Sequence, residues 1–85
     1  MEQILINTPT EGFVDITGQV HKIVAKADIQ NGLCQIFVPH TTAAVTINEN
    51  ADPDVIRDML SALKQMVPNL SYRHREGNSP AHILS

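Results

Sequence analysis

The chain has 85 residues and a formal net charge of −3 at pH 7, which suits a single domain that buries only roughly 60% of its unfolded surface. An apolar fraction of 42% argues against disorder, and six scattered Lys and Arg, of which only Arg73 and Arg75 lie close together, argue against nucleic acid as a partner. No run reaches the roughly 18 apolar residues of a membrane span, MEQILINTPTEG lacks the regions of a signal peptide, and one cysteine allows no intrachain disulfide, so a cytoplasmic protein with no membrane partner is expected.

From the N-terminus, QILINTPT alternates and predicts a strand over 3–8, ended by Pro9. EGFVDIT predicts a second short strand after a turn at Glu11-Gly12. Thr17 is placed to cap a helix in which Val20, Ile23, Val24 and Ala27 share one face, His21, Lys22 and Lys26 lie elsewhere, and Asn31-Gly32 stops the run. LCQIFVP is almost continuously apolar, fit for a central strand with Cys34 as a small buried residue. AAVTINE alternates as its partner.

The plainest element follows. Asp52 suits an N-cap, Pro53 the first helical position and Asp54 the positive end of the helix dipole. Val55, Ile56, Met59, Leu60, Leu63 and Met66 recur at helical spacing until Pro68, which predicts a helix over 53–66 with this stripe as core. Residues 69–80 read as a loop in which Gly77 and Asn78 supply a left-handed turn, and AHILS begins a further strand. A strand that stops there leaves an open sheet edge. The 85 residues therefore read as a fragment, or as a chain whose sheet a partner completes.

Four stretches gather polar groups: PHTTA with His40, INEN, the helix carboxylates Asp52 and Asp58, and HREGNSPAH with His74, Glu76 and His82. Each has an ordinary explanation. A histidine at a strand end is usually only hydrogen-bonded, Asn48 and Asn50 shape turns, Asp52 caps, and loop histidines can be decoration. Familiar motifs fail: there is no helical H-E-x-x-H, no phosphate-binding G-x-x-x-x-G-K-[ST] and no G-x-S-x-G. HRE matches the H-x-E of zinc deaminases, but the P-C-x-x-C that completes their metal shell is missing. Cys34 and His40 make a poor nucleophile pair, because an apolar setting raises a thiol's pKa. What remains is His40, His74 and His82 with Glu76. Three neutral imidazoles with an open fourth position suit catalytic zinc, and Thr41, Asn48 or a backbone carbonyl would fix their second ring nitrogens. If the imidazoles instead form an anion pocket, binding weakens as pH rises through the histidine range, whereas a metal site weakens on acidification.

HTTAAVTINENADPDVIRDML followed by VPNLSYRHREGNSPAHI resembles the YjbQ-type family of small uncharacterised proteins, described as secondary thiamine-phosphate synthases. The match falls on His40, Thr41, Thr42, Asn48, Glu49, Asn50, Asp52, Pro53, Asp58, Tyr72, His74, Glu76, Gly77, Ala81 and His82, and covers at least 38–84. The resemblance implies an α+β fold: an antiparallel β-sandwich-like sheet with two packed helices, assembled as a homotrimer. Members continue past this point with a strand pair bearing a G-T-W-Q-type motif. This chain has no Trp, so 1–85 is expected to be the N-terminal two-thirds of a longer family domain, truncated at the C-terminus. The implied reaction joins a pyrimidine pyrophosphate to a thiazole phosphate and releases pyrophosphate. Its leaving group needs neutralisation by basic groups or by a divalent cation, zinc or magnesium. His40, His74 and His82 are then the metal ligands, Glu49 and Glu76 the catalytic carboxylates, and Thr41, Thr42, Asn48 and Asn50 the ligand-binding groups. The same histidines would equally serve a non-catalytic trimer that binds a metal or a small phosphorylated or other anionic molecule.

Overall fold

The computed structural model describes residues 1–67, 73 and 77–85. Within these, the chain forms three helices: α1 (Thr17–Lys26), α2 (Pro53–Met66) and α3 (Ser79–Leu84). It divides into two compact units, Met1–Gln35, which holds α1, and Ile36–Ser85, which holds α2 and α3.

Local chemistry accounts for α2 from end to end. The Asp52 carboxylate accepts the backbone N–H of Asp54 at 2.9 Å, satisfying one of the donors that a helix start leaves unpaired. Pro53 occupies the first turn, where its missing N–H does no harm. Asp54 pairs with Arg57 one turn on at 3.2 Å, an exposed contact of small value. Val55, Ile56, Met59, Leu60 and Leu63 are half-buried on one face, whereas Met66, predicted with them, is exposed. The Val67 N–H closes the last turn on the Leu63 carbonyl at 2.9 Å.

In α1 the predicted face is partly realised. Val20 and Ile23 are half-buried, Val24 and Ala27 are exposed, and His21, Lys22 and Lys26 face solvent. Thr17 is the first helical residue rather than the cap. Its N–H is held from outside by the Asp15 carboxylate at 2.9 Å. The helix ends at Lys26, short of the expected stop at Asn31-Gly32. Asp28 makes the exit with a φ of 52°, a left-handed conformation that Asp tolerates better than most residues.

The strands expected from the alternating and apolar stretches, and the β-sandwich-like sheet implied by the resemblance, are corrected by the structure. Among the described residues there is no strand over 3–8, 11–17, 33–39 or 43–49, and the AHIL of AHILS lies in α3, with Ser85 at its end, instead of starting a strand. Alternation settles which side chains would share a face, but a strand also needs N–H···O=C bonds to a neighbouring segment. Outside the helices, the backbone hydrogen bonds among the described residues are all local turns and caps. The exposure pattern agrees. Leu33 and Phe37 of the apolar run are open to solvent, Cys34 is exposed instead of buried, and only Val38 is half-buried. A continuous apolar strand is shielded only when layers cover both faces. No described residue is fully buried, and no described helix is long and apolar enough to cross a membrane.

Candidate functional site

The residues singled out for function that lie in the described part all belong to the second unit. His40 follows the half-buried Val38 and the exposed Pro39, and Thr41 and Thr42 form the turn after it. His40, Thr41 and Thr42 are all exposed. Asn48, Glu49 and Asn50 are exposed just before the Asp52 cap of α2. The Asn48 side-chain oxygen accepts the Glu49 N–H at 2.7 Å, so this amide shapes its own backbone, the turn-forming role that Asn favours. Asp52 is occupied as the cap, and Asp58 is exposed on α2.

His82 sits on α3. Gly77 enters that helix with a φ of 76°, the left-handed conformation expected of it. Asn78 is the N-cap residue without a side-chain capping bond, and Pro80 lies in the first turn. The helix continues to its end, with the Ser85 N–H donating to the Ala81 carbonyl at 3.0 Å. His82 and Ser85 are three residues apart, so they share a helix face.

One hydrogen bond ties the two histidine-bearing stretches together. The Ser85 hydroxyl donates to the Ala43 carbonyl at 2.9 Å, across 42 positions of sequence. Ala43 follows the His40-Thr41-Thr42 turn directly, and Ser85 lies one turn beyond His82. The bond therefore holds the end of α3 against the end of that turn. Sequence reasoning missed Ser85 because AHILS was read as a strand. The signal was present: Asn78 followed by Pro80 repeats, less strictly, the cap-and-proline start of α2.

His74 and Glu76 lie outside the described residues, so the three-histidine set is represented here by His40 and His82. Among the described residues no group of three or more His, Cys, Asp or Glu is placed to hold a metal ion. Two exposed imidazoles do not make a zinc site, which takes three protein ligands in its catalytic form. The described part of the chain thus offers exposed imidazoles, hydroxyls and amides that can donate hydrogen bonds, beside an exposed carboxylate that can only accept them when ionised.

The family profile described as UPF0047 protein YjbQ-like matches residues 2–85. The chain is 46% identical over 76 residues to UPF0047 protein MJ1081 of Methanocaldococcus jannaschii, covering 88% of this chain and 55% of that protein. It is 44% identical over 80 residues to UPF0047 protein YugU of Bacillus subtilis, covering 92% of this chain and 61% of the relative. Among solved structures, it is similar to a YjbQ/UPF0047 family protein of Clostridium acetobutylicum, the ortholog of YugU. That crystal structure shares 46% identity with a TM-score of 0.79, over 94% of this chain and 63% of the other. The chain spans between half and two-thirds of the length of these relatives. On the profile match across almost its whole length, and on these identities, the chain belongs to the YjbQ-like UPF0047 family.

Proposed function

We propose that the chain carries part of a thiamine-phosphate-synthase-type site. In that reaction a C–N bond forms between the pyrimidine methylene carbon and the thiazole ring nitrogen. The C–O bond to pyrophosphate breaks, and its electron pair leaves with the pyrophosphate. Charge grows on the departing oxygens, and groups already aimed at that charge lower the barrier most. His40 and His82 neutralise and hydrogen-bond the leaving group, with His74 as the third imidazole. Thr41 and Thr42 donate hydroxyls to phosphate oxygens. Asn48 and Asn50 contribute amide groups, and Glu49 with Glu76 orients the pyrimidine. The observation that supports this reading is the Ser85–Ala43 hydrogen bond, which ties the turn carrying His40 to the helix carrying His82.

The test supplies purified chain with the pyrimidine pyrophosphate and the thiazole phosphate, and follows pyrophosphate release together with the coupled product. Turnover that falls on the order of 10²-fold in His40→Ala and again in His82→Ala agrees with the reading, as removal of a charge-stabilising donor does elsewhere. Product no faster than in buffer, in a folded protein, overturns it.

A second reading has its own support. His40, Thr41, Thr42, Glu49, Asn50 and His82 are all exposed, and ionising a pyrophosphate ester beside bulk water invites hydrolysis instead of transfer. A homotrimer that binds a small anionic ligand or a metal at a subunit boundary, without turnover, needs no such enclosure within one chain. Pyrophosphate binding that persists in calorimetry while no coupling occurs selects this reading.

A further inference from the structure

Asn31-Gly32 carries a sequence signal that the fold does not use. It reads as a helix stop, yet α1 ends at Lys26 and the left-handed residue after it is Asp28. Gly32 does not take a positive φ, so its backbone freedom is not required there. Asn31 stands in a bend, Gly32 follows it outside any helix, and both are exposed. Neither the Asn31 carboxamide nor the Gly32 N–H is engaged in a hydrogen bond among the described residues. Gln30 and Gly32 line an open cleft of about 310 Å³ in the first unit, together with Ile23, Ala27, Ile29 and Cys34.

We propose that Asn31-Gly32 is a self-modifying site that converts Asn31 to a mixture of aspartate and isoaspartate. The Gly32 N–H gives its proton to water or hydroxide, and the nitrogen attacks the side-chain carbonyl carbon of Asn31. The C–N bond to the amide nitrogen breaks and ammonia leaves, closing a five-membered succinimide. Water then opens the ring. Cleavage between the Gly32 nitrogen and the side-chain carbonyl gives aspartate. Cleavage at the main-chain carbonyl gives isoaspartate, in which the backbone runs through the side-chain carbon. No oxidant or reductant takes part. The reaction needs a nitrogen free to lose its proton, a free carboxamide and a following residue without a Cβ, and all three are met at this step. The product carries a new negative charge between two residues that line an apolar cleft, and the isoaspartate form lengthens the backbone there by one methylene. A chain aged in this way presents a different cleft from a newly made one.

The experiment incubates the full chain in mildly alkaline buffer and maps peptides by mass spectrometry, with isoaspartate detected by methyltransferase labelling. The expected result is ammonia release and conversion at residue 31 ahead of Asn7, Asn48, Asn50, Asn69 and Asn78, none of which precedes Gly, with isoaspartate in excess over aspartate. Conversion at residue 31 no faster than at those positions overturns the proposal. Gly32→Ala should slow the reaction roughly tenfold or more, since a Cβ restricts the conformations from which the nitrogen attacks. A Cβ there stands 3.3 Å from the Ile29 side chain, so this variant is paired with a measurement on the unaltered protein. The folded chain should react within roughly tenfold of the same chain in denaturant, as an exposed, unprotected loop does. A far slower folded rate overturns the proposal.

Discussion

Helix α2 and residues 43–49 are both patterned stretches of the second unit, yet only one of them takes the secondary structure its pattern predicts. The difference lies in where each finds its hydrogen bonds. A helix pairs residue i with i−4, so the backbone partners of α2 lie within its own fourteen residues or in the cap residues that flank them. Its two ends are closed by adjacent residues, Asp52 at the start and Val67 at the end. AAVTINE also has a clean period, but a strand borrows its donors and acceptors from another segment. Among the described residues that segment is not supplied. Periodicity thus states which face a residue would occupy. It does not state whether a partner is there to make the face real.

Proline scanning gives the largest expected contrast between the two regions. Ser61→Pro in the middle of α2 removes an intrahelical hydrogen bond and clashes with the preceding turn, at a cost of about 3 kcal/mol or more. Thr46→Pro, in a stretch without ladder bonds, should cost well under half of that in denaturant unfolding. Equal losses would mean that residues 43–49 are paired in solution.

Truncation gives a smaller contrast. Leu60 is half-buried on α2, so Leu60→Ala should lower stability by roughly 1–3 kcal/mol, at or below the low end of the range for fully buried leucines. Ile47 is 98% exposed, and Ile47→Ala should stay within about 0.5 kcal/mol. Urea midpoints for both variants, with an unchanged slope, make the comparison.

The same contrast explains what could be read beforehand. Asp52, Pro53, Asp54 and the apolar spacing located α2 with both bounds in place, because all of its determinants are local. The start of α1 was legible and its end was not, since Asp28 rather than the more suggestive Asn31-Gly32 makes the exit. AHILS was misread because β-branched and apolar residues outweighed the Asn78 and Pro80 that begin α3. In the candidate site, His40 and His82 could be named from residue type and motif. Their connection through Ser85 and Ala43 could not, because it joins segments 42 residues apart by a hydroxyl that carries no pattern.

Removing the α2 cap has an effect of middle size. Asp52→Ala leaves the Asp54 N–H without its acceptor and should cost about 1 kcal/mol, within the range for N-cap replacements. Asp52→Asn keeps a capping oxygen and should recover most of the loss. A loss that Asn does not repair would assign Asp52 a role in the site beyond capping, since it directly follows Asn48, Glu49, Asn50 and Ala51.

The smallest change in stability is expected at Ser85, and it bears most directly on function. Its hydroxyl donates to a carbonyl at an exposed position, so Ser85→Ala leaves no buried group unsatisfied and should cost at most about 0.5–1.5 kcal/mol. The consequence for the site is out of proportion to that figure. Without the bond, α3 keeps its own helical hydrogen bonds, but its end is no longer held to the turn that follows His40. Ligand binding would then have to order the two histidine-bearing stretches, and affinity falls by that ordering cost. Ser85→Thr retains a hydroxyl and should restore part of the affinity. Calorimetry with pyrophosphate, beside thermal unfolding of the same two variants, separates the effects. If Ser85→Ala binds pyrophosphate as tightly as the unaltered chain, the tether does not organise the site, and His40 and His82 act independently. If affinity falls severalfold with little loss of stability and Thr repairs it, the Ser85–Ala43 hydrogen bond is a positioning contact for the histidines.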